Sequence, residues 1–244
     1  RHGSFDAYRE AKLKLFANQV AEDVAVVPPG TEVPGEAARV TFGGRHADLA
    51  LRDRGLTWRG DVLMGREEIR LRGEHNLENA MGAAAAALTV GIPASAVRAG
   101  LAGFPGVPHR LEEVGTVGAV LYVNDSKATN VSSAVRGIEA FDGGVHAILG
   151  GSLKGGGFSG LRDAVSARCK ACYLIGEASP RLAEDLDGTV SLHDCGDLES
   201  AMATAARAAE PGDVILLSPA CASYDQYRDF EERGEHFRSL VPAA

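Results

Sequence analysis

The stretch Ala119-Val-Leu-Tyr-Val-Asn-Asp-Ser-Lys-Ala-Thr-Asn-Val131 decides the fold class of this chain. It opens with an apolar run of β-branched and aromatic residues, continues through a polar turn, and leads into the amphipathic pattern of residues 131–140. The same order of strand, turn and helix recurs as far as Leu240. This alternation predicts right-handed crossovers and an α/β fold, with a mostly parallel sheet covered by helices on both faces.

The predicted sheet is Rossmann-like, and its elements follow one another at short intervals. Strands are predicted at Ala119–Val123, His146–Leu149, Cys172–Ile175, Val190–His193 and Val214–Leu217. Helices are predicted at Val131–Ala140, Phe158–Arg168, Pro180–Leu186, Leu198–Ala209 (with Asp197 as its N-cap) and Gln226–Leu240. Ligands of open α/β sheets bind outside the carboxyl ends of the strands, so we expect the chemistry in the strand-to-helix turns.

The first hundred residues have a more mixed pattern. Helices are predicted at Phe5–Ala17 (with Ser4 as its N-cap), Leu77–Val90 and Ser95–Leu101. Short runs broken by glycine and proline predict hairpins at the edge of a sheet, at Val24–Val27, Arg39–Phe42, Ala47–Leu51, Leu56–Trp58 and Glu68–Leu71. Phe104-Pro-Gly-Val-Pro108 reads as a stiff linker, which predicts domains of residues 1–106 and 107–244.

The composition excludes several classes of protein. Of 244 residues 45% are apolar and 24% are charged, as in ordinary globular domains, and the formal net charge is −8. The acidic balance argues against broad binding to nucleic acid or anionic lipid, which needs a basic patch. No apolar run is long enough to span a membrane, and the charged start of the chain is unlike a signal peptide. We expect a cytoplasmic protein.

The four cysteines do not form a disulfide framework in a chain of this length. Cys169-Lys-Ala-Cys172 has the spacing of a redox or zinc pair, but the sequence has no second pair to complete a tetrahedral zinc site. The plainer interpretation is that two small apolar residues lead into a strand.

The turn Asn124-Asp-Ser-Lys-Ala-Thr-Asn130 places a carboxylate, an ammonium, two hydroxyls and two amides between a strand and a helix. Helix-terminal N–H groups favour anions, so this turn is a candidate ligand site. The alternative is a capped turn in which Thr129 or Asn130 only starts the helix.

Glycine is in excess, at 30 residues or about 12% against a usual ~7%. Part of the excess lies in Leu149-Gly-Gly-Ser-Leu-Lys-Gly-Gly-Gly157, where backbone N–H groups and Lys154 can meet an anion. This turn is not a P-loop, because G-x-x-x-x-G-K-[ST] does not occur in the sequence. A flexible turn with a solvated lysine is the alternative.

The third turn, Leu217-Ser-Pro-Ala-Cys-Ala-Ser223, brings small residues to the same predicted edge. Ser223 is predicted to cap the last helix, with Phe230 about two turns into it. Cys221 is interpreted as a small buried thiol, since no base for a nucleophile is legible from the sequence.

Two further sites lie outside these turns. Asn76 and Asn79, three residues apart at the start of a predicted helix, share a face. Arg110, after Pro108-His109, offers a bidentate fork for a phosphate. Taken singly, these residues are also explained by capping and surface solvation.

Together, five motifs resemble the Mur ligases, and most closely those that add D-glutamate. The motifs are Gly73-Glu-His-Asn-Leu-Glu-Asn-Ala80, Pro108-His-Arg-Leu-Glu112, Asn124–Asn130, Leu149-Gly-Gly151 and Leu217-Ser-Pro-Ala-Cys-Ala-Ser-Tyr-Asp-Gln-Tyr227. The resemblance runs from Arg1 to Phe237. It implies the later part of the family's ATPase central domain in residues 1–106 and its C-terminal domain in residues 107–244.

The activity that the resemblance implies is ATP-dependent amide ligation in peptidoglycan synthesis. ATP would convert the alanine carboxylate of UDP-N-acetylmuramoyl-L-alanine to an acyl phosphate, and the amine of D-glutamate would attack it. Catalysis would then consist of positioning and charge stabilisation around phosphoryl groups and Mg²⁺.

Site residues carry over by position. Asn79, with Asn76 nearby, would meet the adenine of ATP, Arg110 the phosphates and Asp125 the ribose. Lys127 would assist catalysis on the nucleotide side.

The residues that would hold the two carboxylates of D-glutamate are Thr129, Lys154, Ser223 and the backbone around Phe230. Lys12 matches the family's catalytic lysine that is carbamylated by CO₂ and then helps to bind Mg²⁺. Without the resemblance, Lys12 reads as a solvated helix lysine.

The sequence also departs from the family. The UDP-binding domain, the P-loop and the acidic and histidine Mg²⁺ ligands precede the point in the family that corresponds to Arg1. We therefore expect no ligase activity from this polypeptide alone. Two alternatives stay open: a non-catalytic module that binds D-glutamate or a nucleotide, and another ligase of the Mur and folylpolyglutamate synthase superfamily.

Overall fold

The computed structural model describes residues 4–53, 55–153 and 155–242. The chain forms two compact units, Arg1–Pro105 and Gly106–Ala244. Within the described residues, no helix is both long and apolar enough to cross a bilayer.

The first unit contains three helices and five short strands among its described residues. In chain order they are α1 (Phe5–Leu13), β1 (Val24–Val27), β2 (Ala38–Thr41), β3 (Leu49–Arg52), β4 (Gly55–Trp58), β5 (Asp61–Gly65), α2 (Glu74–Thr89) and α3 (Ala94–Gly103). The predicted N-cap of α1 is confirmed, because Ser4 Oγ accepts a hydrogen bond from Ala7 N at 3.1 Å. The helix is shorter than predicted, and Lys14–Phe16 form a 3₁₀ turn.

The strands of the first unit pair in two ways. β3, β4 and β5 form an antiparallel meander, as the hairpin prediction required. β1 and β2 instead pair in parallel, so the prediction of a hairpin is wrong for them. The pairing direction depends on the path of residues 28–37, which the local apolar pattern does not encode.

The prediction of a strand at Glu68–Leu71 is also wrong. The fifth strand is β5, joined to β4 by Arg59 and Gly60, which both have positive φ angles of 49° and 100°. This is the two-residue geometry that matches the twist of a hairpin. The chain then leaves the sheet, because Glu68 Oε1 accepts a hydrogen bond from Gly65 N at 2.8 Å and closes a 3₁₀ turn.

The second unit contains the predicted parallel sheet. Its elements in chain order are β6 (Glu112–Val117), β7 (Val120–Asn124), α4 (Val131–Glu139), β8 (Val145–Gly150), α5 (Arg162–Arg168), β9 (Cys169–Ile175), α6 (Ser179–Leu186), β10 (Ser191–Gly196), α7 (Leu198–Ala208), β11 (Val214–Ala220) and α8 (Phe230–Leu240).

The strand order is β10-β9-β8-β11-β7-β6, and every neighbouring pair is parallel except β7 and β6. The α/β prediction is confirmed. β6 was not predicted, because its sequence Glu-Glu-Val-Gly-Thr-Val is that of a polar edge strand. Ala119, predicted to start a strand, has φ +63° and lies with Gly118 in the tight turn between β6 and β7.

Both faces of this sheet are covered by apolar clusters. Leu149, Leu174 and Leu216 belong to the cluster on one face, while Ile148 and Ile215 belong to the other. β8 and β11 are buried along their whole length, as expected for central parallel strands. Their carboxyl ends are therefore held in a rigid frame.

The helix starts decide which polar groups face this edge. The predicted cap of α7 is confirmed, since Asp197 Oδ1 accepts from Ser200 N at 2.8 Å. The last helix was predicted at Gln226–Leu240 with Ser223 as its cap, and the start and the cap of this prediction are wrong. α8 begins at Phe230 because the Asp229 carboxylate accepts from Glu232 N at 2.8 Å and caps it there.

Candidate functional site

The three polar turns predicted from the sequence meet at the carboxyl edge of the second unit's sheet. Leu217 on β11 pairs with Asn124 on β7, and Ala220 on β11 pairs with Gly150 on β8. The turns that follow these strands therefore start side by side. The structure gathers residues that are far apart in the sequence, as a ligand site requires.

Asn124 anchors the turn after β7. Its Nδ2 lies 3.0 Å from His109 Nδ1, 3.3 Å from Glu112 Oε2 and 3.2 Å from the Gly234 carbonyl oxygen. Its Oδ1 accepts from Ser126 N at 3.2 Å. Asn124 is fully buried, so its amide is occupied in holding the turn.

Asp125 also faces the interior and is 5% exposed. Its Oδ2 accepts from Ser218 Oγ at 2.8 Å, and its Oδ1 accepts from Leu111 N at 3.2 Å. Burial raises the pKa of Asp125 to about 7, although both hydrogen bonds and the charge of Arg110 act in the opposite direction. Both oxygens are engaged inside the protein, and the ribose contact stays a prediction.

Lys127 and Phe230 come together across the site. The Lys127 side chain is exposed, and its Nζ lies 5.2 Å from the centroid of the Phe230 ring. The ring of His109 meets Phe230 edge-on, at 6.1 Å between centroids and an interplanar angle of 81°. The Phe230 ring thus contacts both the His109 ring and the Lys127 ammonium, and the second contact is a stabilising cation–π interaction.

Thr129 and Ser223 lie on two of these turns. Thr129 is half-buried, and Asn130, the residue after it, caps α4 by accepting from Ser133 N at 2.9 Å. Ser223 is buried, and its carbonyl oxygen accepts from Tyr227 N at 2.8 Å. Ser223 therefore belongs to a turn and does not cap the last helix.

The turn after β8 needs glycine at two positions. Gly150 and Gly151 both have φ +132°, and a Cβ atom on them would lie 1.9 Å from Ile175 O and 2.1 Å from Ala222 O, respectively. These two glycines let the turn pass between the ends of β9 and β11. Lys154, predicted to lie on this turn, is outside the described residues.

Arg233, which the sequence motifs did not single out, is the largest fully buried side chain among the described residues, with 0% exposure. Its guanidinium donates to Ser126 Oγ and Ser126 O, both at 2.9 Å, to Cys221 O at 3.1 Å, to Ala222 O at 3.3 Å and to Gly150 O at 3.4 Å. Burial lowers the pKa of Arg233 to about 10, so it stays charged at neutral pH.

One cation therefore ties together the turns after β7, β8 and β11. A signal for this role was present in the sequence. Arg233 lies three residues after Phe230 and four before Phe237, on the side of α8 that packs inward. A charged residue in an apolar row of a helix indicates a buried partner.

Among the described residues, the predicted site residues of the first unit, Lys12, Asn76 and Asn79, are not gathered into a hydrogen-bonded network like that around Arg233. Asn76 is buried and donates from Nδ2 to Arg72 O at 2.9 Å, whereas Asn79 is exposed. The two amides, predicted to share a face, thus differ in accessibility. Lys12 is exposed on α1, with Nζ 5.5 Å from the centroid of the Tyr8 ring.

Arg110 is half-buried on the segment that leads into β6. The residue before it, His109, is buried with φ +62°, and its backbone N–H donates to Glu112 Oε2 at 2.8 Å. A positive φ is rare for a residue other than glycine, so the surroundings of His109 must hold its backbone in this conformation.

No group of three or more His, Cys, Asp or Glu side chains suited to a metal occurs within residues 4–53, 55–153 and 155–242. None of the four cysteines, which all lie in the described residues, forms a disulfide. A hydrogen bond to Cys169 and burial raise the pKa of Cys172. Cys169 and Cys172 belong to the start of β9, in line with the plainer interpretation of the CxxC motif.

Two family models match the sequence. Residues 109–221 match the Mur ligase, glutamate ligase domain, and residues 1–87 match the Mur ligase middle domain. The chain belongs to the Mur ligase family.

Its relatives are UDP-N-acetylmuramoylalanine–D-glutamate ligases. The one from Acidobacterium capsulatum is 40% identical over 260 residues, covering 100% of this chain and 56% of the relative. The one from Anaeromyxobacter dehalogenans is 43% identical over 264 residues, covering 99% of this chain and 57% of the relative. The chain spans just over half the length of these relatives.

Solved structures share the fold at lower identity. The MurF ligase from Thermotoga maritima in complex with ADP has a TM-score of 0.71 and 20% identity, covering 98% of this chain and 58% of that one. The UDP-N-acetylmuramate-alanine ligase MurC from the same organism has a TM-score of 0.71 and 15% identity, covering 97% and 55%.

Proposed function

We propose that this chain is the part of a D-glutamate-adding Mur ligase that binds D-glutamate and contributes to the nucleotide site. The complete enzyme would join D-glutamate to UDP-N-acetylmuramoyl-L-alanine through an acyl phosphate, with ATP as phosphoryl donor. The observation that carries the proposal is the convergence of the Asn124–Asn130, Gly150–Leu153 and Ser218–Ser223 turns at one sheet edge. The identity of about 40% to D-glutamate ligases along the whole chain supports this substrate.

D-Glutamate carries two carboxylates, and the second unit offers matching groups. We assign the carboxylates to Thr129, Lys154, Ser223 and the backbone at Phe230. Asn130, the N-cap of α4, directly follows Thr129, and the N-terminus of a helix favours negative charge. Lys127, held above the Phe230 ring, adds a cation at the same edge.

The nucleotide roles follow the resemblance. We assign Asn79, with Asn76, to the adenine and Arg110 to the phosphates. The MurF relative of similar fold was solved with ADP, which supports ATP as the co-substrate. Asp125 is assigned to the ribose side, where its buried carboxylate also holds the turn through Ser218 and Leu111.

Chemistry at such a site consists mainly of placing reactants and neutralising charge. Lys127 would stabilise negative charge that develops when the phosphoryl group is transferred and when the amine attacks. The rigid frame of β7, β8 and β11 would hold the amine of D-glutamate in line with the acyl carbon, which is the main gain from positioning.

The described residues do not by themselves form a Mg²⁺ site. An unmodified Lys12 ammonium is a cation and cannot ligate Mg²⁺, whereas its carbamate would be an oxygen ligand. The described part of the chain holds no cluster of acidic or histidine side chains that would complete such a ligand set. The role of Lys12 stays a proposal tied to carbamylation.

Residues 1–106 are proposed as the later part of the central ATPase domain and residues 107–244 as the C-terminal domain. The sequence contains no G-x-x-x-x-G-K-[ST] loop to hold the β- and γ-phosphates. We therefore expect these 244 residues to bind substrates without ligating them. Release of phosphate by this chain, dependent on both D-glutamate and the UDP-sugar, would contradict that expectation.

The direct test is calorimetric titration of the chain with D-glutamate, with L-glutamate as the control ligand. We expect binding of the D form, and a loss of at least about tenfold in affinity in Lys154→Ala, equivalent to about 1.4 kcal/mol. Lys14→Ala is the matched control, because Lys14 is an exposed lysine of the first unit. Equal affinity for both enantiomers, or equal effects of the two substitutions, would rule out the proposed glutamate site.

A further inference from the structure

Asp225 is an exposed carboxylate on the turn after β11, and none of the roles above uses it. Its Oδ1 accepts from Ser152 Oγ at 3.3 Å, and its own N–H donates to the same Ser152 Oγ at 3.0 Å. Its Oδ2 accepts from Glu177 N at 3.0 Å. A single side chain thus joins the turns that follow β8, β9 and β11.

Backbone contacts around Asp225 reinforce this junction. Ser152 N donates to Ala222 O at 2.9 Å, and Leu153 N donates to Glu177 Oε2 at 3.2 Å. The segment 150–153 is therefore bonded to the β11 turn on one side and to the β9 turn on the other. It is also the segment that immediately precedes Lys154 in the sequence.

The space around the Asp225 carboxylate is closely fitted. A Cβ atom on Gly176, which has φ +69°, would lie 2.1 Å from Asp225 Oδ2. Only glycine at position 176 therefore allows the carboxylate to approach Glu177 N. The contact between Asp225 and Glu177 N therefore restricts the residue that can follow the end of β9.

The negative charge of Asp225 would disfavour direct contact with the expected ligand, which is also negatively charged. Two carboxylates, Asp225 and Glu177, border the turn that contains Lys154, and like charges would weaken the binding of a dicarboxylate. Each of them is instead engaged by N–H or O–H donors of the turns. The two carboxylates therefore serve to hold the turns in place through these hydrogen bonds.

We propose that Asp225 is a positioning residue for D-glutamate, which rests on the function proposed above. It fixes the segment 150–153 between the ends of β9 and β11, and so sets the affinity of the glycine-rich turn for the dicarboxylate. The residue does not touch the ligand. It acts through the turn.

The first test is amide hydrogen exchange by NMR on the complete chain. Asp225→Ala should speed exchange at Glu177 N, which loses its acceptor, and at Leu153 N, by about tenfold or more, since a hydrogen bond to a charged group is removed. Asp225→Asn keeps one acceptor oxygen and should give an intermediate effect. Glu231→Ala, which removes an exposed carboxylate from the first turn of α8, should leave both amides unchanged.

The second test is D-glutamate affinity in the same variants. We expect the dissociation constant to rise about tenfold in Asp225→Ala and less in Asp225→Asn. Unchanged exchange at Leu153 and Glu177 in Asp225→Ala would overturn the proposal, as would faster exchange with unchanged affinity. Failure of the wild-type chain to bind D-glutamate would count against the proposed function, and the exchange data would still decide whether Asp225 orders the turn.

Discussion

The Lys127 ammonium nitrogen lies 5.2 Å from the centroid of the Phe230 ring, although 103 positions separate the two residues in the sequence. The resemblance to the Mur ligases implies that Lys127 acts on the nucleotide side and that the Phe230 backbone binds D-glutamate. The structure links them through the ring, which gives the Phe230 side chain a role of its own.

Phe230→Leu should release the Lys127 side chain, because leucine keeps apolar volume and has no π-face. The cation–π contact is worth about 0.5–1 kcal/mol at an exposed site. NMR of the Lys127 side chain should show the upfield ring-current shift of its ε-CH₂ protons in the wild type and lose it in Phe230→Leu. Phe230→Tyr, which retains a ring, should retain the shift. A Lys127 spectrum that is the same in all three proteins would contradict the contact.

Arg233→Met should lower the free energy of unfolding by about 3 kcal/mol or more, because the carbonyl oxygens of Ser126 and Cys221 lose a charged donor in a buried setting. Urea unfolding followed by circular dichroism measures this change. Arg228→Met is the control, since Arg228 is exposed and its side chain pairs with Asp229 at the surface. If the variants have the same stability, the bonds of Arg233 do not matter to the fold. The fluorescence of Trp58, the single tryptophan, reports on unfolding of the first unit. If Arg233→Met changed only the unfolding transition of the first unit, the prediction would also be contradicted.

Asp125 should make the stability of the second unit depend on pH. Its pKa is about 7 in the folded chain and near 3.9 in an unfolded one. The folded state therefore holds more protons between these values, and this contribution to stability declines as pH rises from about 4 to 7. Asp125→Asn, which cannot ionise, should gain stability relative to the wild type as pH is raised from 5 to 8. Unfolding curves at both pH values test this, and a stability difference that is independent of pH would refute it.

Two glycine substitutions within helices should have opposite effects. In Gly137→Ala on α4, the new Cβ would lie 2.6 Å from Asp125 Oδ2 and Ser218 Oγ, so we expect a loss of about 1–3 kcal/mol. In Gly100→Ala on α3, the Cβ would meet nothing within 4 Å, and we expect a gain of about 0.5–1 kcal/mol. Thermal unfolding of both variants compares them directly. Stabilisation by both substitutions would show that the space beside Asp125 is not closed.

The parts of the fold that were predictable are those encoded by local pattern. The apolar runs at β8 and β11 and the N-cap Asp197 depend on neighbouring residues, and the structure confirms them. The parallel pairing of β1 with β2 was not predictable, because strand direction is decided by the connection between them. β6 was missed because an edge strand with one polar side lacks the apolar signal.

In the candidate site, too, the features encoded by local sequence were predictable and those that depend on long-range contacts were not. The turns after β7, β8 and β11 were located because strand ends and glycine are visible in sequence. The internal engagement of Asp125 by Ser218, 93 positions away, was not visible. The same holds for Arg233, whose partners come from three turns that adjoin only after folding. Long-range hydrogen bonds of this kind are specified by the topology as a whole.

The bonds of Arg233 also bear on how the protein is made. Ser126 leaves the ribosome 107 residues before Arg233, an interval of about 5–20 s at ordinary elongation rates. Throughout that interval the turn after β7 lacks the guanidinium that holds it, and the carbonyl oxygens that it later satisfies stay in water. The ligand edge is therefore completed only when α8 docks, and a chain released before that point would have a sheet without a finished site.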